Sequence, residues 1–340
     1  MNLFLRFEGF PRIGLGAIYK KEQIRRFLDR EFGLEAVALV SRETAGCLDG
    51  LYCGPRQVLE SPLYSAEEVG EVAGLIDAGS GARCITGLIN APSEYMSGLQ
   101  QLMSALAIED QPTPALDAWG VLNHAPVVDW HGEYGAVENR FLGPGYTLLR
   151  EAVLAMQARP VVGEGIVITM GGANYTGSTV RIAGALKRTE IPVKVVMGPS
   201  FGHEMELREV VGGAAQMEIF RNPPDFIEML AGARLVVSQG GSTLYELAYL
   251  GTPPVVLGED PHEITLGRAM QELGFARCLG DGMACGEEEM VHEIASLYRD
   301  ETQIQQMRAT GFQLGVGAGW TRFREVVVLL MQDEMKASRV

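Results

Sequence analysis

Positive charge is what this sequence lacks most: 28 lysines and arginines stand against 43 aspartates and glutamates, a formal charge of -15 with a pI near 4.9. A chain of that sign repels polyanions, which argues against nucleic acid as a partner and disfavours broad binding to anionic lipid. Cysteine is sparse. Cys47, Cys53, Cys84, Cys278 and Cys285 form no CxxC pair and no zinc-ligand spacing with histidine, so reduced, buried thiols are the plain reading. No stretch reaches the ~18 apolar residues of a membrane span, and Met1 to Phe10 holds no basic leader followed by an apolar core. A cytoplasmic protein with no integral membrane segment is expected. Two nucleotide motifs are also missing, since there is no GxxxxGK[ST] and no GxGxxG with an acid at dinucleotide spacing.

What is present suffices for two folded cores. Apolar residues make up 47% of 340 positions and charged ones 21%. A chain of this length exceeds the roughly 250–300 residues that one core supports, so two lobes of about 150 residues each are the prior. Short β-branched runs at Ala36–Val40, Ile166–Met170, Val193–Met197, Leu235–Ser238 and Pro254–Leu257 alternate with amphipathic stretches at Lys21–Phe32, Thr179–Arg188, Pro224–Ala231 and Ser242–Leu250. This is the pattern of βαβ units around a parallel sheet buried on both faces, hence an α/β fold. Gln157-Ala158-Arg159-Pro160 and the glycines 163 and 165 interrupt it. Residues 1–156 are therefore expected as one domain and 164–315 as a second, with 316–340 a terminal helix, Trp320–Met331, that could pack back on the first.

Both lobes carry a glycine turn between strand and helix: Ile13-Gly14-Leu15-Gly16-Ala17 in the first, Met170-Gly171-Gly172-Ala173-Asn174 in the second. They point to two Rossmann-like, doubly wound halves. Val236-Val237-Ser238-Gln239-Gly240-Gly241-Ser242-Thr243-Leu244-Tyr245-Glu246 reads as a strand, a glycine turn and a helix capped by Ser242 or Thr243. A phosphate there would meet free N–H groups and the positive end of the helix dipole, a binding mode that needs no net positive charge. Glu246 lies one turn beyond Ser242, in reach of two ribose hydroxyls. An ordinary tight βα turn with a surface glutamate is the alternative on spacing alone.

These stretches, with Phe141-Leu142-Gly143-Pro144-Gly145-Tyr146-Thr147-Leu148-Leu149-Arg150, resemble the PseG/SpsG family of nucleotide-sugar hydrolases and, more distantly, the MurG-type glycosyltransferases of GT-B fold. The resemblance implies two lobes facing a cleft, a UDP-sugar with its nucleotide on the second lobe and its sugar where the lobes meet, and no metal or other cofactor. Ser242 and Thr243 with Gly240 and Gly241 would hold the phosphates, Glu246 the ribose, and Phe220, Arg221 and Asn222 would border the base. His262 and Glu263, in Asp260-Pro261-His262-Glu263, stand where the family has an Asn-Gln or His-Gln pair facing sugar and diphosphate. Gly171 and Gly172 match its second-lobe opening, and Tyr146 and Arg150 the hinge side of the cleft, although a structural ion pair between lobes is an equal reading of Arg150. Where the family writes GxGHxxR, this chain has Gly14, Gly16, Ala17 and Lys20, so the family's imidazole is replaced by a methyl group that accepts no proton. Asp117, Asp129 and His131 are the candidates to take over, with His124 weaker and His203 and Glu204 read as surface. A hydrolase cleaving the sugar–diphosphate bond in surface-glycan or nonulosonic-acid biosynthesis, a glycosyltransferase and a non-catalytic nucleotide-sugar binder all remain open.

Overall fold

The structure is a computed structural model that describes residues 2–10, 16–76, 81–156, 163–172, 174 and 176–333. Gly14, Ala173 and the expected linker at 157–160 lie outside the described residues. The chain divides into two compact units, Met1–Leu148 with Ala318–Val340 and Leu149–Gly317. Residues 149–156, expected with the first lobe, pack in the second, where the Tyr249 hydroxyl donates to the Leu154 carbonyl at 3.2 Å.

In the first unit the described strands are β1 (Leu3–Phe7), β2 (Ala36–Ser41), β3 (Arg56–Leu59), β4 (Arg83–Gly87), β5 (Ser104–Ile108), β6 (Gly120–Asn123) and β7 (Asn139–Leu142). They form one parallel sheet in the order β3-β2-β1-β4-β5-β6-β7. All five β1 residues are buried because both faces are covered. Leu3, Leu5 and Phe7 join Ile18, Ile24 and Phe27 of the helix Gly16–Phe32 on one side, while Phe4 joins Leu39, Cys84 and Tyr95 on the other. The helix Gly319–Gln332 adds Phe323, Val326, Val327 and Leu330 to the first of these clusters. Its start needs glycine, since a Cβ on Gly319 would stand 1.8 Å from the Thr147 carbonyl oxygen. Arg83 Nε ties its end by donating to the Leu330 carbonyl at 2.8 Å.

The second unit repeats the plan with β8 (Ile166–Thr169), β9 (Val193–Met197), β10 (Met217–Arg221), β11 (Leu235–Ser238), β12 (Pro254–Gly258) and β13 (Arg277–Asp281). Their order is β10-β9-β8-β11-β12-β13, again parallel. In both sheets the winding starts from an interior strand, proceeds outward one way, then returns past its origin. The strand order therefore reverses between β1 and β4 and between β8 and β11, leaving a crevice at the carboxyl ends of each pair, where ligands of open α/β sheets bind.

Five expected strands recur with ends shifted by at most one residue, because runs buried on both faces are hard to misplace. The first amphipathic helix begins at Gly16 rather than Lys21. Its extra turn includes exposed Tyr19 and half-buried Lys20, which dilute the apolar period.

Candidate functional site

At the β8/β11 reversal three loops meet. Gly171 follows β8 with φ of +72°, a conformation that suits glycine, and a Cβ there would stand 2.8 Å from the Gln239 side-chain amide. Gly240, just after β11, is pressed against the start of the helix Pro261–Glu272, where a Cβ would lie 1.9 Å from the Glu263 carbonyl oxygen. The helix Thr243–Leu250 then departs from Ser242. Its first turn is tightened by Leu244 N–H bonding the Gly241 carbonyl and Tyr245 N–H bonding the Ser242 carbonyl, both at 3.1 Å. The amides of Ser242 and Thr243 have no acceptor among the described residues, as the start of a helix dictates. One expectation is corrected: neither hydroxyl caps this helix, because Ser242 itself has helical angles, φ -59° and ψ -22°, which turn its side chain away from the amides. Ser242 is exposed and Thr243 half-buried, so the mouth of the turn is open.

Glu246, which the alternative reading of the turn would leave on the surface, is buried, with only 8% of its side chain exposed. Arg150 compensates it. Its Nε and Nη2 donate to the two carboxylate oxygens at 2.6 Å each, a bidentate fork, and its guanidinium lies 6.0 Å from the Phe226 ring centre. Both residues belong to the second unit, so Arg150 forms its ion pair there rather than between lobes. Each carboxylate oxygen keeps a lone pair for a further donor.

The remaining loops are held by Glu259, which the sequence did not single out, and by Glu263, expected by resemblance to face sugar and diphosphate. Glu259 Oε1 accepts from Asn174, Thr176 and Ser178, closing the turn after β8 against the end of β12. Glu263 is 8% exposed and accepts from Gln239 Nε2 at 2.7 Å and from the Glu259 amide at 2.8 Å, while Asp260 caps its helix by accepting from the Glu263 amide at 2.8 Å. Burial, then the charges of Asp260 and Glu259, push the Glu263 carboxyl up to about 7. The Gln239 Oε1 atom is buried with no partner among the described residues. His262 precedes Glu263 in the same first turn and is half-buried. Phe220 and Arg221 end β10, with Asn222 following at φ +43° and its amide on the Met197 carbonyl at 2.9 Å. Arg221 is an ion-pair partner of Glu204, so Glu204, expected as solvated surface, is bridged by Arg208 and Arg221. An open surface hollow lined by Arg188, Glu288, His292 and Arg299 lies instead where the helix Ser178–Leu186 leads into β9, at the amino edge of the sheet.

In the first unit Gly16 opens the helix that follows β1, and Ala17, Lys20 and Lys21 sit in its first turns. Lys20 Nζ is 3.4 Å from Asp110 Oδ1, and His124 Nε2 is 3.8 Å from the same oxygen. Behind them the buried Glu109 carboxyl, raised by desolvation, accepts from the Tyr134 hydroxyl at 2.9 Å. The three residues proposed to replace the histidine do not gather. Asp117 is exposed three positions ahead of β6, at the amino edge of the sheet; Asp129 is exposed on the helix Val128–Glu133; the His131 ring bonds the Ala125 carbonyl at 3.0 Å. Tyr146 belongs to a 3-10 turn of the first unit, its ring 5.3 Å beneath the Arg322 guanidinium. Lys21, Asp110, Gln239 and Glu259 were missed. Lys21 alone carried a readable signal, a cation on the Ile18, Ile24, Leu28 stripe. Cys53 is exposed, and Cys47 and Cys278 are half-buried, so only Cys84 and Cys285 fit the buried reading. Among the described residues no cluster of three or more His, Cys, Asp or Glu side chains is placed to hold a metal ion, and no helix is long and apolar enough to cross a membrane.

No protein-family model matches this chain. It is 24% identical over 181 residues to an uncharacterized protein of Methanocaldococcus jannaschii, covering 48% of this chain and 37% of that protein. It is 20% identical over 221 residues to the spore coat polysaccharide biosynthesis protein SpsG of Bacillus subtilis, covering 60% of this chain and 65% of SpsG. The matches thus span less than two thirds of either relative. Among solved structures, MurG of Acinetobacter baumannii superposes with a TM-score of 0.68 at 14% identity over 98% of this chain and 99% of MurG. The UDP-GlcNAc 2-epimerase of Neisseria meningitidis, solved bound to UDP-GlcNAc, gives 0.66 at 11% identity over 97% of this chain and all 100% of the epimerase. Likeness at that identity speaks for architecture: this chain has the fold of the GT-B glycosyltransferases, two Rossmann-like parallel-sheet domains.

Proposed function

We propose that this chain is an enzyme acting on a nucleotide-sugar, with UDP as the nucleotide, and that it cleaves the bond between sugar and diphosphate. The observation that carries the reading is the free first turn of the helix Thr243–Leu250 at the β8/β11 reversal: open amides at Ser242 and Thr243, with the Glu246 carboxylate one turn behind them. The amides and the helix dipole suit a diphosphate, and the carboxylate suits a ribose diol. Arg150 holds the Glu246 side chain with two hydrogen bonds in a buried place, and each of its oxygens keeps a lone pair for a hydroxyl donor. Likeness to SpsG and to an epimerase solved with UDP-GlcNAc supports the ligand class and a role in surface-polysaccharide assembly.

Water attacks the anomeric carbon in this reading, the carbon–oxygen bond to the diphosphate breaks, and the amides at 242 and 243 stabilise the negative charge that departs. Phe220 and Asn222 border the base, Gly171 and Gly172 floor the diphosphate, and His262 and Glu263 face the sugar side. Transfer to an acceptor hydroxyl is the second reading, favoured by Ala17 where the resembled hydrolases carry histidine. Incubation of the purified protein with a panel of UDP- and CMP-sugars, with and without acceptors, separates them. Free nucleotide without acceptor supports hydrolysis, turnover only with acceptor supports transfer, and saturable binding without product would overturn both in favour of a binding protein.

A further inference from the structure

The helix Glu287–Arg299 buries Met290, Ile294 and Leu297 in the core of the second unit. Its opposite stripe, Glu288, His292, Ala295, Ser296 and Arg299, recurs at helical spacing and forms one wall of the open hollow beside Arg188. On the other wall stand Glu190 and Arg188 itself, which is tied to Glu287 at 3.1 Å. The hollow measures about 710 Å³, a size that small-molecule pockets reach, but such pockets are concave and mainly apolar. Here the mouth is open, the apolar floor is no more than Val291 and Ala295, and ionic side chains line the rest. A protein surface suits it better.

The charges on the stripe want partners. Glu287 and Glu293 of the same helix are engaged by Arg188 and Arg277, whereas Glu288, His292 and Arg299, all exposed, have no ion pair or side-chain hydrogen bond among the described residues. Glu288 and Arg299 cannot satisfy each other, since the rise of about 1.5 Å per residue sets them roughly 16 Å apart along the axis. A chain of net charge -15 repels its own copies over most of its surface, yet in this hollow two arginines and a histidine stand among two glutamates.

A second copy of the same helix, laid antiparallel, supplies what is missing. Turned about an axis through the middle of the stripe, Glu288 comes opposite Arg299 of the second copy and Arg299 opposite its Glu288, two ion pairs from one contact. Val291 then meets Ser296 and His292 meets Ala295, and the small side chains of Ala295 and Ser296 let the axes approach to about 8–10 Å. Such a contact is isologous and closes at two copies. We propose that this face is an interface between two copies of the chain, related by a two-fold axis across the helix Glu287–Arg299. It lies wholly within the second unit and does not depend on the nucleotide-sugar reading. Because exposed ion pairs contribute little each and are screened by salt, the dimer is weak and salt-sensitive.

Light scattering of the full-length protein at rising concentration, in roughly 0.1 M salt, tests this. The wild-type mass should climb from 36.9 kDa towards twice that value. Glu288→Arg alone and Arg299→Glu alone should each stay monomeric where the wild type is paired, because like charges then face each other. An equimolar mixture of the two variants should recover the paired mass, since one brings two cations to the stripe and the other two anions. Thermal melts of both variants separate loss of pairing from loss of fold, and the wild-type curve is read without any variant. A wild type that stays at 36.9 kDa at every concentration overturns the proposal. So does pairing that survives both single substitutions, or a mixture of folded variants that remains monomeric.

Discussion

Glu246 and Arg150 show how a buried charge becomes useful. The carboxylate is fixed by two hydrogen bonds of 2.6 Å, so under the proposed function a ribose at the turn would meet an acceptor already oriented. Glu246→Ala should weaken UDP binding by roughly 1.5–3 kcal/mol, the worth of a hydrogen bond to a charged group. Calorimetry showing unchanged affinity would remove Glu246 from the site. Glu263 makes a separate prediction. Its carboxyl is raised to about 7, first by burial, so the folded protein holds a proton that the unfolded chain, with an ordinary value near 4.3, releases. The folded state binds more protons in that window, and stability contributed by this group falls as pH rises from the unfolded value through about 7. Relative to the wild type, Glu263→Gln should therefore gain stability as pH rises from 5 to 8, read as diverging urea midpoints; parallel midpoints would refute the raised value. Neither residue's environment was legible in the sequence, which offered Glu246 to a ribose and, by resemblance, Glu263 to the sugar side without revealing their burial. Burial and the partners 96 and 24 positions away had to come from the fold.

Strands and glycine turns are the elements that the sequence shows most clearly, since a run buried on both faces must be apolar throughout and a close backbone approach leaves room for glycine alone. Loop-to-loop ties are the least visible. Glu259 closes the turn after β8 through Asn174 and Ser178, residues 85 and 81 positions away, and no local pattern encodes such a pairing. The helix cap at Ser242 was misread because serine before a helix suggests a capping hydroxyl, whereas Ser242 itself takes helical angles, φ -59° and ψ -22°. Gly240→Ala should cost at least about 1–3 kcal/mol, because the contact at 1.9 Å is with backbone and cannot be relieved by a rotamer change. Equilibrium denaturation reads this, and a neutral substitution would mean that the turn after β11 is looser than described.

At the scale of the whole molecule the alternation of strands and helices revealed two doubly wound sheets, but not where the chain leaves one unit for the other. The contribution of the last helix rests on Phe323, Val326, Val327 and Leu330, whose companions Leu3, Leu5 and Phe27 lie some 300 positions away. Ending the chain at Gly317 strips these four from the first unit's core. Two melting transitions, or loss of the first unit's NMR signals with those of the second retained, are expected; a single unchanged transition would show that the helix adds nothing to that core. The central claim is that open amides at Ser242 and Thr243 hold a diphosphate, and a crystal structure with UDP bound tests it most directly. The account predicts phosphate oxygens within hydrogen-bond distance of those amides and the ribose hydroxyls on Glu246. Diphosphate density at any other place on the chain, with the turn at 240–243 empty, would contradict it.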